Sequence, residues 1–171
     1  MEKVVIVEDN TNIRNGLKIL IDGDTGLSCS AVFSNCEDFL ASLPELNPSI
    51  VLMDINLPGI NGIEGIKKMK KIVPDVPVVI LTIYEENEMI FDALCAGASG
   101  YLLKNTPPSR LIDAIYEALE GGGPMSSNIA RKVIEYFNKP TKVKPSEEEM
   151  LSQRELEVLD KLVQGCTSKF I

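Results

Sequence analysis

Glu8 with Asp9, Asp54, Thr82 and Lys104 each stand where a short apolar run breaks into polar residues. The runs are Val4 to Val7, Ile50 to Met53, Val78 to Leu81 and Tyr101 to Leu103. In an open parallel α/β sheet, ligands bind beyond the carboxyl ends of the strands. Four such ends bring an acidic pair, a lone carboxylate, a hydroxyl and an ammonium to one pocket. Carboxylates gathered there repel and raise one another's pKa unless a cation lies between them. Hard oxygen donors from few side chains suit Mg²⁺, which keeps several waters and bridges carboxylates to phosphate. Such an ion holds the carboxylates ionised and offsets the charge of an incoming phosphoryl group, with an Asp54 oxygen left as nucleophile. Lys104 adds a second positive charge, and the Thr82 hydroxyl can donate to a phosphoryl oxygen.

Each residue taken singly has a plainer role. Glu8-Asp9 reads as a polar turn in which Asp9 or Asn10 caps a helix. Asp54 reads as a loop carboxylate, Thr82 as a strand end, and Lys104 as a surface side chain lying along the protein. All four plain roles would have to coincide at one edge of one sheet, so the joint chemical reading outweighs them.

The elements that position these residues follow from periodicity. Short β-branched runs near Val4 to Val7, Leu27 to Phe33, Ile50 to Met53, Val78 to Leu81 and Gly100 to Leu103 alternate with segments of helical spacing. The central runs are almost continuously apolar, as in parallel strands covered on both faces. The first helix, after Asn10, places Ile13, Leu17, Leu20 and Ile21 on one stripe and stops at Gly23. Ser34 or Asn35 caps a second around Phe39, Leu40 and Leu43, ended by Pro44. A third runs from about Gly62, with Ile63, Ile66, Met69 and Val73 inward and Lys67, Lys68, Lys70 and Lys71 in water. The fourth covers roughly Asn87 to Ala96, and the fifth begins at Pro107-Pro108-Ser109 and runs to Gly121-Gly122-Gly123. The expected architecture is a five-stranded parallel α/β sheet with helices on both faces and a C-terminal helical extension.

Composition excludes several classes. The chain has no histidine, which removes imidazole acid–base catalysis, His-based triads and the common zinc sites. Residues 1–138 carry 11 Lys+Arg against 19 Asp+Glu, and the remainder carries 6 of each. Neither part has the basic footprint of a self-sufficient nucleic-acid binder. The four cysteines, Cys29, Cys36, Cys95 and Cys166, lack Cys-x-x-Cys spacing and read as reduced structural thiols. The start at Met1-Glu2-Lys3-Val4 is unlike a secretory leader and no apolar stretch reaches membrane-spanning length, so the expected location is cytoplasmic, with no membrane partner.

These motifs resemble a known family. Val7-Glu8-Asp9-Asn10, the run Met53-Asp54 to Asn61-Gly62, Leu81-Thr82 and Gly97-Ala98-Ser99-Gly100-Tyr101-Leu102-Leu103-Lys104 together resemble the receiver domain of two-component response regulators, over about residues 2–122. The resemblance implies a flavodoxin-like strand order 2-1-3-4-5; a chemotaxis member of the same family is the standard example of that order. It implies Asp54 as phosphoacceptor, with Glu8, Asp9, Asp54 and the Asn56 backbone carbonyl as Mg²⁺ ligands. It further implies that Thr82 and Lys104 would bind the phosphoryl group, and that Thr82 and Tyr101 would form a switch, Tyr101 turning inward and reshaping the face of the fourth helix, fifth strand and fifth helix. The implied phosphoryl donor is a separate sensor histidine kinase. The family also has a cis peptide after this lysine; here Asn105 stands in place of proline, which makes a cis bond costly. Small residues usually follow the threonine, whereas this chain has Ile83.

After the triple glycine, residues 123–150 read as a linker with one short helix built on Ile129, Val133, Tyr136 and Phe137. Leu151 to Leu159, with Ser152 and Glu155 in capping-box spacing, resembles the opening of a LuxR-type helix-turn-helix domain. Receiver, linker and helix in this order resemble the NarL/FixJ subfamily of transcription regulators. The sequence stops at Ile171, barely inside the second helix of that domain. The base-reading helix comes later in such domains, so residues 151–171 are expected to be a truncated piece that does not bind DNA specifically. Relatives often form homodimers through a receiver face or the output domain.

The chain is therefore expected to be a phosphorylation-controlled switch and not an enzyme. One rival is a Mg²⁺-dependent phosphohydrolase using Asp54 as nucleophile, but such enzymes usually want an acid two residues on, where Asn56 stands. Another is a flavin-binding electron carrier of similar topology, against which stand the absence of tryptophan and of a phosphate-cradling Gly/Ser/Thr loop at the strand ends.

Overall fold

A computed structural model describes residues 1–138. The elements alternate as β1 (Glu2–Val7), α1 (Thr11–Asp22), β2 (Leu27–Phe33), α2 (Cys36–Leu46), β3 (Ile50–Met53), α3 (Gly62–Ile72), β4 (Val78–Thr82), α4 (Asn87–Cys95), β5 (Gly100–Leu103) and α5 (Pro108–Leu119), with α6 (Ser127–Asn138) following. The strands form one parallel sheet in the order β2-β1-β3-β4-β5. Every residue of β3, β4 and β5 is buried, which is why these runs are apolar without alternation.

Successive strand residues point to opposite faces and build two cores. Val5, Val7, Val51, Met53, Val78, Ile80 and Tyr101 pack with α2, α3 and α4. Val4, Ile6, Ile50, Leu52, Val79, Leu81 and Leu102 pack with α1 and α5. The register pairs Val7 with Met53 and Met53 with Ile80, so β1, β3 and β4 release their next residues on one rim.

Local chemistry sets the helix ends. The Asn10 side chain accepts from the N–H groups of Asn12 and Ile13 to cap α1, and Asn35, rather than Ser34, caps α2 by accepting from Asp38 N–H. Pro44 does not end α2. It lies inside the helix, which continues to Leu46 and closes on Asn47 in the left-handed region at φ 42°. Proline costs a helix one hydrogen bond to the residue four back; here that loss falls in the last turn, where the fully buried Leu43 anchors the chain. Lys70 also departs from the expected solvated row. Its ammonium donates to the carbonyls of Pro74 at 3.1 Å and Val76 at 2.8 Å, and the burial this brings lowers its pKa. Cys29, Cys36 and Cys95 are free thiols, and burial pushes Cys36 up to about 12.

Residues Met1–Asn138 form one compact unit, so α6 packs with the sheet, past the three glycines. Ile129 is fully buried in the same core as Tyr101, against which Met125 and Val133 also pack. Gly100 permits this approach, because a Cβ there would meet the Pro124 ring and carbonyl at 2.7 Å. The readings on residues 139–171, including the output-domain start, lie outside the described residues. No helix among the described residues is long and apolar enough to cross a membrane.

Candidate functional site

Glu8, Asp9, Asp54, Thr82 and Lys104 meet at the carboxyl rim of the sheet. Backbone bonds extend the ladders to this point: Glu8 N–H donates to Phe33 O at 2.9 Å, Asp54 N–H to Val7 O at 2.9 Å, and Lys104 N–H to Thr82 O at 2.8 Å. Glu8 and Asp54 are almost fully buried, 1% and 4% exposed, whereas Asp9 is exposed. Two carboxylates that deep need a counter-charge. Lys104 supplies it, with Nζ 2.8 Å from Asp54 Oδ2 and 2.8 Å from Glu8 Oε2.

The carboxylates are further held by main-chain donors. Asn10 N–H donates to Glu8 Oε1 at 3.1 Å, and Ile55 N–H to Asp54 Oδ1 at 2.7 Å. Burial pushes the Glu8 carboxyl above its usual range, against the pull of Lys104 and the Asn10 N–H, and neighbouring Asp54 adds to the rise. Burial alone would lower Lys104; hydrogen bonds to Asp54 and Glu8 outweigh it and hold the ammonium above its ordinary value.

Oxygen atoms of Glu8, Asp9 and Asp54 all lie within 4.8 Å of one another. An all-oxygen cluster of that size, with one carboxylate open to water, fits a hard divalent cation that retains part of its hydration. Asn56 is exposed on the loop immediately after Ile55.

Thr82 is fully buried, and its hydroxyl has no hydrogen-bond partner among the described residues. Tyr101 is also fully buried and points inward, its hydroxyl donating to the Tyr84 carbonyl at 2.9 Å. Burial raises its pKa, with Glu86, Asp54 and Glu85 adding to the effect. All described peptide bonds, Lys104–Asn105 included, are trans.

Two supporting residues escaped the sequence reading. Arg14 Nη1 donates to the Glu8 carbonyl at 2.6 Å and the Asp9 carbonyl at 3.0 Å, pinning the acidic turn from α1. Its signal was present, since Arg14 stands one helical turn beyond the capping Asn10 and its N–H bonds to Asn10 O. Glu37, at the start of α2, accepts from Ile60 N–H at 2.8 Å and lies against Gly59, whose φ is +75°. That pair is joined across 23 residues, and no local pattern announces it. The loop after Asp54 closes on Gly62, where a Cβ would fall 2.0 Å from the Asp54 carbonyl oxygen.

A five-stranded parallel sheet with a carboxylate cluster and a lysine at its carboxyl rim defines a flavodoxin-like class of α/β domain, and comparison with known proteins gives the family. The model of the response regulator receiver domain matches residues 4–116. The transcriptional regulatory protein YxjL of Bacillus subtilis (strain 168) is 33% identical over 171 residues, covering 99% of this chain and 78% of its own. The nitrate/nitrite response regulator protein NarL of Escherichia coli (strain K12) is 27% identical, covering 98% of this chain and 78% of its own. Among solved structures, a two-component response regulator of the LuxR family from Aurantimonas sp. SI85-9A1 superposes with a TM-score of 0.76 at 30% identity, over 80% of this chain and 98% of that one. The chain belongs to the response regulators of two-component systems, in the NarL/LuxR group of transcription regulators, and carries their receiver domain.

Proposed function

We propose that Asp54 accepts a phosphoryl group from a sensor histidine kinase, with Mg²⁺ held by Glu8, Asp9, Asp54 and the Asn56 backbone carbonyl. The observation that carries this reading is the buried Asp54 carboxylate sharing Lys104 with Glu8, inside a three-carboxylate cluster. When bound, the cation neutralises charge on the carboxylates and on the arriving phosphoryl oxygens.

The chain's own residues do the rest. An Asp54 oxygen attacks phosphorus, forming an O–P bond, while the N–P bond of the donor phosphohistidine breaks and its electron pair leaves with the imidazole nitrogen. Lys104 is already hydrogen-bonded to the acceptor at 2.8 Å and turns toward the new phosphoryl oxygens as negative charge gathers on them. Thr82 carries an unpaired buried hydroxyl to which such an oxygen offers an acceptor. Tyr101, tied to the loop after Thr82, completes the switch pair.

In this reading residues 1–122 are the receiver, 123–150 the linker and 151–171 the start of a LuxR-type DNA-binding domain. The receiver works in the cytoplasm and controls transcription through that output domain, with homodimerisation of the receiver as one means.

A phosphohydrolase reading is weaker. Glu8, Asp9 and Asp54 all belong to the one cluster, and Asn56 stands where such an enzyme places its acid. Intact mass after incubation with Mg²⁺ and a small acyl phosphate tests the proposal. One phosphoryl group on wild type, absent from Asp54→Asn and without Mg²⁺, is the expected result; multiple turnover of a phosphate ester would favour the hydrolase.

A further inference from the structure

The first turn of α2 stands against the loop that follows Asp54. Cys36 seats it there: its fully buried thiol lies 3.8 Å from the Met53 sulfur and 3.8 Å from the Asn61 carbonyl oxygen. The helix α3 comes so close at this point that a Cβ on Gly65 would fall 2.5 Å from the same thiol. The two acids that follow Cys36 are used differently. Asp38 is taken up by the cap, its N–H donating to Asn35 Oδ1 at 2.8 Å and its carboxylate accepting from the Asn35 amide at 2.8 Å. Glu37 reaches out of the helix instead and accepts from Ile60 N–H at 2.8 Å.

The loop depends on that bond unequally along its length. Its base is closed by its own main chain, since Ile55 O accepts from Leu57 N–H at 3.0 Å and from Gly62 N–H at 2.9 Å. The main chain of residues 58–60 makes one hydrogen bond among the described residues, the one to Glu37. Gly59 passes through the left-handed region at φ +75° and lies so close to the Glu37 carboxylate that no Cβ would fit. Glu37 itself is exposed and is not among the three carboxylates that cluster at the rim.

We infer that Glu37 is a positioning residue for the cation site: by holding residues 58–60 it keeps the loop after Asp54 in the form that binds Mg²⁺, without touching the ion. The inference rests on the reading of Glu8, Asp9, Asp54 and the Asn56 carbonyl as the Mg²⁺ ligands. A carbonyl donor is aimed by the backbone that carries it, and groups behind a metal's ligands set how well those ligands are oriented. A loop free to leave this form binds the ion only while it is competent, and the apparent affinity falls by that fraction. Once bound, the ion holds the loop itself, so the loss appears in affinity and not in chemistry at saturating Mg²⁺. The partner of Glu37 is a neutral N–H, so position 37 needs an acceptor and not a charge. Glutamine supplies one and alanine does not.

The test uses the full 171-residue chain with Glu37→Ala and Glu37→Gln. Calorimetric titration gives Mg²⁺ affinity, and intact mass gives the rate of phosphorylation by a small acyl phosphate at saturating Mg²⁺. Because the bond is exposed, Glu37→Ala should weaken Mg²⁺ binding roughly two- to fivefold. Glu37→Gln should bind as wild type does, and both variants should match the wild-type rate once Mg²⁺ saturates. Unchanged affinity in Glu37→Ala, even beside a loss of stability in urea, overturns the inference and leaves Glu37 a structural tie only. Glu37→Gln as weak as Glu37→Ala also overturns it, because the carboxylate then acts through its charge. A rate deficit that persists at saturating Mg²⁺ does the same. A wild type that binds no Mg²⁺ overturns the cation reading itself, and the inference with it.

Discussion

The loop after β1 is tied down on every side, whereas the loop after β4 leaves a buried hydroxyl without a partner. In the first, Arg14 holds the carbonyls of Glu8 and Asp9, Asn10 caps α1, and the Asn10 N–H returns to the Glu8 carboxylate. In the second, Thr82 is fully buried and unpaired, Ile83 is 70% exposed, and the remaining ties run to Tyr101 and to α6. The proposed function would use both: a pinned carboxylate cluster suits holding a cation, and an unpaired buried hydroxyl suits meeting a phosphoryl oxygen. A domain that must bind first and respond afterwards needs both kinds of loop.

Lys104 joins the two sides, so removing it gives the largest expected effect. Lys104→Met leaves Glu8 and Asp54 buried without a counter-charge, and breaking a buried pair this way costs about 3–5 kcal/mol. Urea unfolding near neutral pH should show that loss without Mg²⁺ and recover much of it with Mg²⁺. The pH dependence has a definite sign. Burial already raises Glu8 above 4.5, its value when unshifted, and the pull of Lys104 opposes that rise. In the variant Glu8 rises further, so the folded state binds a proton more tightly than the unfolded chain does. The penalty is then full above the raised pKa and fades as pH falls through it. A penalty equal with and without Mg²⁺ would show that the carboxylates do not share a cation.

Arg14→Ala and Thr82→Val set the two loops directly against each other. The first removes hydrogen bonds to two carbonyls and should cost about 1–2 kcal/mol, with weaker Mg²⁺ binding by titration. The second exchanges a buried, unpaired hydroxyl for a methyl of similar shape. Its stability should stay within about 1 kcal/mol of wild type or rise, because no bond is lost and a desolvated donor is removed. Thr82→Val should nevertheless lower the fraction of chain phosphorylated by a limiting small acyl phosphate, because the phosphoryl oxygen loses a donor. Equal destabilisation by the two substitutions would break the contrast between the two loops.

The meeting of these residues at one rim was legible in the sequence alone. Apolar runs that end in Asp54, Thr82 and Lys104 are sufficient, because parallel strands in register must release those residues on one rim. Features that depend on assembled packing were not legible. Pro44 reads locally as a stop, yet the burial of Leu43 carries α2 past it to Leu46. Lys70 belongs by spacing to a solvated row, but the chain after α3 brings the Pro74 and Val76 carbonyls within its reach. The amphipathic pattern of α6 announced a helix; where that helix lands is set by Gly100, which lets Pro124 close on β5. Glu37 supports the loop after Asp54 only once the sheet has set α2 beside it.

The smallest expected effect concerns Ile83, which carries its bulk at the mouth of the less constrained loop. At 70% exposure its side chain contributes little to the core, so Ile83→Ala should change stability by under about 0.5 kcal/mol. Its influence should fall on kinetics instead. On the proposed function, loss of an aspartyl phosphoryl group by hydrolysis needs a water to approach phosphorus opposite the Asp54 oxygen, and a branched side chain following Thr82 would narrow that approach. Removing it should speed phosphoryl loss roughly threefold, equivalent to about 0.65 kcal/mol in the barrier. The decay of phosphorylated mass after donor removal measures this directly. An unchanged rate would place the controlling barrier elsewhere, in the Thr82 and Tyr101 contacts, and Thr82→Val measured in the same assay would then separate access from hydrogen bonding.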